Sequence, residues 1–195
     1  TLNFQGSLVN DGTIKTNKDT TLIKNGTLVN NNLIENNGTL DLGSNGSINN
    51  SGTVNNKESG LIKFGKSSTL TGALINNGII DIKDNSTLTM TGSVSGSGTF
   101  TGSTYLKDTF VNPGNSPGTL TFDGDSVWDN PDLTMEVAAA VNGGYDYDRI
   151  NIIGNLTLLS AFTINLDFLD GLDVLALVNE TFNFINITGD VLDEF

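Results

Sequence analysis

The sequence predicts an all-β protein, a parallel β-helix (β-solenoid) with about 20 residues per coil. Three observations support this fold class. A nine-residue phrase that begins with Gly recurs along residues 1–110. When the copies of the phrase are aligned, apolar residues occupy the same positions in each copy, and Asn and Gly occupy other fixed positions. The chain also contains 36% hydrophobic residues, which is sufficient for a narrow core.

The recurring phrase starts five times, and the numbers of its successive starting glycines differ by 20, 20, 26 and 20. Its copies are GSLVNDGTI from Gly6, GTLVNNNLI from Gly26, GSINNSGTV from Gly46, GALINNGII from Gly72 and GSVSGSGTF from Gly92. We interpret the single longer interval as one coil with a six-residue insertion near Glu58 to Ser68.

Three apolar columns predict three short strands in every coil. Side chains alternate between the two faces of a strand, so one residue in two points into the core. The columns are Leu8, Leu28, Ile48, Leu74 and Val94; Ile14, Ile34, Val54, Ile80 and Phe100; and Leu22, Leu42 and Leu88.

Polar columns accompany the apolar ones. The fifth position of the phrase is Asn10, Asn30, Asn50 and Asn76, which predicts a ladder of amides spaced by about 4.8 Å along the stack. The seventh position is Gly12, Asn32, Gly52, Gly78 and Gly98. Gly replaced only by Asn is typical of left-handed backbone, so we expect every coil to turn a corner there.

The charge divides the chain into two parts. Residues 1–110 are rich in Asn and Gly and balance eight Lys against eight acidic residues. Residues 111–195 contain Arg149 and fourteen acidic residues, and therefore carry the whole net charge of -13. We expect this acidic part to continue the stack with longer strands. Neither part has the basic stripe that nucleic acid binding requires, and no apolar run is long enough to span a membrane.

The acidic part resembles the C-terminal repeat region of secreted bacterial surface proteins, namely autotransporter-type and related surface-anchored β-helix passengers. The resemblance rests on PGNSPGTLTFDGD (residues 113–125), on Asp148-Arg149-Ile150 with Gly154-Asn155-Leu156, and on the closing TFNFINITGDVLDEF. It covers residues 113–195, and its PGNSPGTL phrase indicates fold and location but gives almost no information on chemistry. It implies a right-handed β-helix displayed outside the cell, and it does not imply an enzyme.

Residue types argue against catalysis. The chain has no His and no Cys, and its one Arg is Arg149, so the commonest general base and the usual soft metal ligands are missing. We therefore predict no enzymatic activity and no cofactor. Asp146 and Asp148 flank Tyr147 on one strand and are the best candidates for a structural calcium ion. A polysaccharide-active or carbohydrate-binding β-helix is the alternative.

The expected function is structural, as a rigid stalk, adhesin passenger or fibre subunit at the bacterial cell surface or in the extracellular matrix. The repeat phase places Thr1 to Gly6 in the last strand of a coil that starts outside this sequence. We expect this edge to pair with the rest of a longer β-helix, or with a second copy in a head-to-tail filament. Surface or matrix glycans are further candidate partners.

Overall fold

The structure, a computed structural model, describes residues 1–114, 116–140, 143–169, 172 and 177–194. The chain winds through three β-sheets in turn and so forms the predicted β-solenoid, with coils of about 20 residues. Each sheet contains nine of the described strands. The right-handed winding stays a prediction.

Sheet A contains the first strand of each coil. Its strands, in spatial order, are β1 (Leu2–Gln5), β4 (Thr21–Asn25), β7 (Thr39–Asp41), β10 (Leu61–Phe64), β13 (Ile79–Ile82), β16 (Thr99–Thr101), β19 (Thr119–Asp123), β23 (Arg149–Ile152) and β26 (Ile185–Ile187).

Sheet B contains the second strand of each coil. Its strands are β2 (Leu8–Asn10), β5 (Thr27–Asn30), β8 (Ser47–Asn50), β11 (Ser68–Leu70), β14 (Thr87–Met90), β17 (Ser103–Lys107), β20 (Ser126–Asp129), β24 (Leu156–Leu158) and β27 (Val191–Asp193).

Sheet C contains the third strand. Its strands are β3 (Thr13–Thr16), β6 (Leu33–Asn36), β9 (Thr53–Asn56), β12 (Ala73–Asn76), β15 (Ser93–Gly96), β18 (Phe110–Pro113), β21 (Asp132–Ala139), β22 (Tyr145–Tyr147) and β25 (Thr163–Phe168). All neighbours in the three sheets are parallel except β21 and β22, which are antiparallel.

The pairing registers correct our interpretation of the longer interval. Leu70 pairs with Asn50, and Ala73 pairs with Thr53, so sheets B and C keep the regular offset of the other coils through this region. In sheet A, Leu61 pairs with Thr39 on one side, an offset of 22, and with Ile79 on the other, an offset of 18. There is no six-residue insertion.

The phrase itself explains the error. Gly46 precedes a strand of sheet B, whereas Gly72 precedes a strand of sheet C and lies against Gly52 of the previous coil. The same phrase therefore occurs on two sheets, and comparing one with the other lengthens the apparent repeat. Consequently the neighbour of Leu74 in the previous coil is Val54, and not Ile48 as the predicted column required.

The core follows the predicted alternation. Strands such as β5 and β6 alternate partly exposed and buried residues, and Leu28 and Ile34 are fully buried. Burial of such side chains stabilises the fold by roughly 1.5–3 kcal/mol each. Phe100 and Phe122 occupy successive positions in sheet A and stack with ring centroids 5.1 Å apart.

The seventh-position residues do not adopt the left-handed conformation that we predicted. Positive φ angles occur instead at Gly6 and Gly26, where sheet A turns into sheet B, and Gly12, Asn32, Gly52, Gly78 and Gly98 have none. At Gly52, Gly78 and Gly98 the lack of a side chain instead allows neighbouring coils to lie close together. A Cβ added to Gly52 would lie 2.1 Å from the carbonyl oxygen of Asn32.

The acidic part continues the same stack. β18 spans the compositional boundary and pairs with both β15 and β21. β21 is eight residues long and also pairs with β25, so the strands are longer here in sheet C only. Among the described residues no helix is long and apolar enough to cross a bilayer.

Candidate functional site

The most regular polar feature is an amide ladder at the ends of the sheet B strands. Asn10 Nδ2 donates to Asn30 Oδ1 at 2.6 Å, and Asn30 Nδ2 donates to Asn50 Oδ1 at 2.7 Å. The same nitrogens also donate to backbone carbonyls of the next coil, for example from Asn30 to Thr53 at 3.1 Å. The ladder ends where Leu70 takes the position after Asn50.

Asn76 does not belong to this ladder, which corrects the predicted column. It ends a second ladder at the sheet C strands, in which Asn36 Nδ2 donates to Asn56 Oδ1 at 2.7 Å and Asn56 Nδ2 donates to Asn76 Oδ1 at 2.8 Å. Thr16 Oγ1 begins this ladder by donating to Asn36 Oδ1. Asn36, Asn56 and Asn76 are fully buried.

The predicted ladder does not include Thr16, Asn36 and Asn56, which are members of this second one. Their signal was present, because Asn36, Asn56 and Asn76 recur with the same period as Asn10, Asn30 and Asn50. The phrase predicts one Asn column per coil, whereas residues 10–76 have one at each of two corners. Burial without a partner costs an amide several kcal/mol, so these side chains remain inside because each bonds to its neighbours.

Lys24 is a further buried polar residue that the sequence did not single out. Its side chain lies in an inward position of sheet A between Phe4 and the next coil, and the residue is fully buried. Nζ donates to the carbonyl oxygen of Gly6, at the glycine corner, and more weakly to that of Asn25 at 3.4 Å. Burial lowers the pKa of the Lys24 ammonium.

The two candidate calcium ligands lie in different environments. Asp146 is exposed, whereas Asp148 is fully buried. Asp148 Oδ1 accepts the N–H of Gly118 at 2.7 Å, and Oδ2 accepts that of Glu136 at 2.9 Å. Burial raises the pKa of Asp148, and the two backbone N–H donors oppose this effect.

Asp148 therefore joins the Pro-Gly turn to β21. Gly118 ends the turn of the PGNSPG segment, whose Asn115 lies outside the described residues. Each carboxylate oxygen of Asp148 thus accepts one backbone N–H inside the fold. Within the described part of the chain, no three or more acidic, His or Cys side chains form a metal-binding group.

Aromatic residues form a separate cluster in the acidic part. The Phe182 ring packs edge-on against Tyr145 and Tyr147, with centroids 6.0 and 5.2 Å away, and stacks on Phe184 at 5.7 Å. The Arg149 guanidinium lies 4.0 Å from the centre of the Tyr147 ring, and its hydrogen bond lowers the pKa of that tyrosine. These contacts attach the segment before β26 to the sheet.

In comparisons with known proteins, no family model, no curated protein and no solved structure matched the chain. The fold and the ladders alone define its class, a repeat protein of the β-solenoid type whose buried amides bond from coil to coil.

Proposed function

We propose that the chain is a non-enzymatic structural protein displayed at the bacterial cell surface or in the extracellular matrix, as a rigid stalk, adhesin passenger or fibre subunit. The observation that carries this proposal is the continuous parallel pairing of all three sheets, from β1 to β26 in sheet A. Backbone pairing and core contacts join successive coils, and in residues 10–76 side-chain amides also join them.

Such construction favours stiffness along the stack. In a solenoid each repeat contacts only its neighbours, so stability is the sum of repeat and interface contributions. Each interface as far as β25 combines three parallel strand pairs with buried side chains, and in residues 10–76 it adds one or two amide bonds. Bending the stack would break hydrogen bonds between coils on its outer side.

The location is tested by surface proteolysis. In the source organism, intact cells are treated briefly with protease, and released peptides are identified by mass spectrometry. A displayed protein releases peptides of this chain from intact cells, while a cytoplasmic control protein releases none. Release of peptides only after lysis contradicts the proposal.

The first coil supports a proposal about partners. Leu2 and Val9 are 57% and 56% exposed, and β1, β2 and β3 have no neighbour on one side within the described residues. Unpaired strand edges template further pairing. We propose that this edge pairs with β-strands, either of the rest of a longer β-helix or of a second copy stacked head to tail.

Light scattering across a range of protein concentrations separates these two partners. A second copy predicts a mass that rises with concentration, and Val9→Lys reduces that rise by placing a charge near the edge. A constant monomeric mass excludes self-stacking and leaves the longer β-helix as the partner.

A polysaccharide-directed activity is the competing function. It is tested by incubating the protein with acidic and neutral polysaccharides, with and without calcium, and measuring both new reducing ends and retention on the polymer. The structural proposal predicts no cleavage. Calcium-dependent cleavage that Asp148→Asn abolishes would replace it with an enzymatic one. Retention without cleavage would identify a glycan as the adhesin's partner.

A further inference from the structure

The chain contains a set of matched Asn-Gly pairs, which are the pairs most prone to spontaneous deamidation. The absence of a side chain on Gly lets its backbone nitrogen approach the preceding amide. Four such pairs lie in the described residues: Asn25-Gly26, Asn37-Gly38, Asn45-Gly46 and Asn77-Gly78. The local chemistry is the same at all four, so the fold decides how they differ.

Two of the four asparagines are held by neighbouring coils. Asn37 Oδ1 accepts the Ser59 hydroxyl at 2.7 Å, and the nitrogen of Gly38, which would be the nucleophile, donates to Thr16 Oγ1 at 3.4 Å. Asn77 Oδ1 accepts the backbone N–H of Ser97 at 3.1 Å. Both amides must break these bonds before they can react.

Asn25 is restrained in another way. It is the last residue of β4, its backbone is fixed by pairing with Gln5, and its side chain is only partly exposed. Extended backbone holds the amide carbon away from the following nitrogen. Cyclisation at Asn25 therefore requires local separation of β4 from its neighbours.

Asn45 has none of these restraints. It lies in the turn between β7 and β8 and is exposed, and within the described residues its side chain makes no hydrogen bond. Among the described turn and loop residues, the nitrogen of Gly46 likewise makes no hydrogen bond to a neighbouring coil. We propose that Asn45 is a site of spontaneous modification, at which the folded chain acquires an aspartate or isoaspartate.

The reaction needs only water. The Gly46 nitrogen attacks Cγ of Asn45, a carbon–nitrogen bond forms, and the side-chain amide nitrogen leaves as ammonia, giving a succinimide. Water then opens either carbonyl of the ring to give aspartate or isoaspartate. The product adds a negative charge close to Asp41, in the part of the chain where acidic and basic residues balance.

The full chain is incubated at mildly alkaline pH, and conversion at each Asn is followed by fragmentation mass spectrometry. We expect Asn45 to react first. Each hydrogen bond that must break slows the reaction by roughly two- to tenfold, so Asn37 and Asn77 should lag by about that factor. In denaturant the four rates should converge, because only the fold separates them.

Ser59→Ala is the matched control variant. It removes the hydroxyl that holds Asn37, and Ser59 is exposed, so the fold is retained. We expect the Asn37 rate to rise while the Asn45 rate stays unchanged. The proposal is overturned if Asn45 reacts no faster than Asn37 and Asn77 in the folded chain, or if the same order persists in denaturant. This inference does not depend on the proposed surface role.

Discussion

Asn30 Nδ2 and Asn50 Oδ1 lie 2.7 Å apart, although 20 residues separate them in the chain. Asn30 is fully buried and also accepts from Asn10, so one side chain bonds three consecutive coils. A buried amide in the middle of such a series determines the pairing of the coils on both of its sides.

Replacing Asn30 should therefore destabilise the solenoid. Asn30→Ala leaves Asn50 Oδ1 without its donor. A buried acceptor without a hydrogen bond lowers the free energy of unfolding by about 1–3 kcal/mol. The midpoint of urea unfolding should fall accordingly. Asn49→Ala is the control, because Asn49 lies in the same sheet but is exposed. Its free energy of unfolding should stay within about 0.5 kcal/mol of the wild-type value. Equal midpoints for the two variants would show that the ladder does not contribute.

The assignment of Asn76 to the second ladder has its own test. In a double-mutant cycle, Asn56→Ala and Asn76→Ala should couple by about 0.5–3 kcal/mol, since their amides are bonded directly. Asn50→Ala and Asn76→Ala should be additive within about 0.5 kcal/mol, because they belong to different ladders. Coupling of Asn50 with Asn76 would restore the single column that the sequence suggested.

Gly52 and Gly12 occupy equivalent positions and should respond oppositely to Ala. A Cβ on Gly52 meets the Asn32 carbonyl oxygen at 2.1 Å, whereas one on Gly12 meets nothing within 4 Å. Gly52→Ala should force adjacent coils apart and lower the thermal midpoint. Gly12→Ala should be neutral or stabilising by about 0.4–1 kcal/mol, through loss of unfolded-state entropy. A harmless Gly52→Ala would mean that coil spacing is not set at this corner.

Lys24 should make stability depend on pH in the alkaline range. Its pKa is lowered in the folded state from the ordinary value of 10.5, so the unfolded chain binds the proton more tightly. The contribution of Lys24 to the free energy of unfolding is therefore complete above pH 10.5 and is lost as the pH falls through the lowered folded pKa. Lys24→Met, which fills a similar volume without charge, should remove this dependence.

The measurement compares urea midpoints of the wild type and Lys24→Met from neutral pH to pH 10.5. The difference between the two proteins should change with pH, because the other titrating groups are common to both. Lys83→Met serves as the exposed control and should follow the wild type. A constant difference for Lys24→Met would show that the ammonium is not desolvated.

The architecture was predictable because two signals had one period. Leu28 and Ile34 recur with the same phase as Asn30, and the registers confirm that phase. The position of Asn76 was not predictable from the sequence. The Gly-x-apolar-x-Asn phrase occurs at strands of both sheet B and sheet C, and its residues do not indicate which sheet a given copy belongs to. Asn36, Asn56 and Asn76 recur every 20 residues, and this spacing distinguishes their column from that of Asn10, Asn30 and Asn50.

The remaining features depend on contacts that no local pattern contains. The two donors to Asp148 come from Gly118 and Glu136, which are 30 and 12 residues away. From the sequence Asp148 resembles Asp146, and only the fold separates the buried carboxylate from the exposed one. The position of Lys24 is only partly predictable from the sequence. The alternation from Leu22 places its side chain inward, but the carbonyl oxygen that it binds, that of Gly6, is known only from the fold.

The constant offset between successive strands of sheets B and C, from β2 to β15, has a consequence for how such a chain changes in length. A gene segment that encodes one coil of this region can be duplicated or deleted in frame, and its sheet B and sheet C strands then meet neighbours at the same offset as before. The unequal but compensating offsets on the two sides of Leu61 in sheet A show that a short piece of chain can move from one coil to the next without disturbing the other two sheets. The molecule can thus lengthen by unequal recombination while its cross-section stays the same.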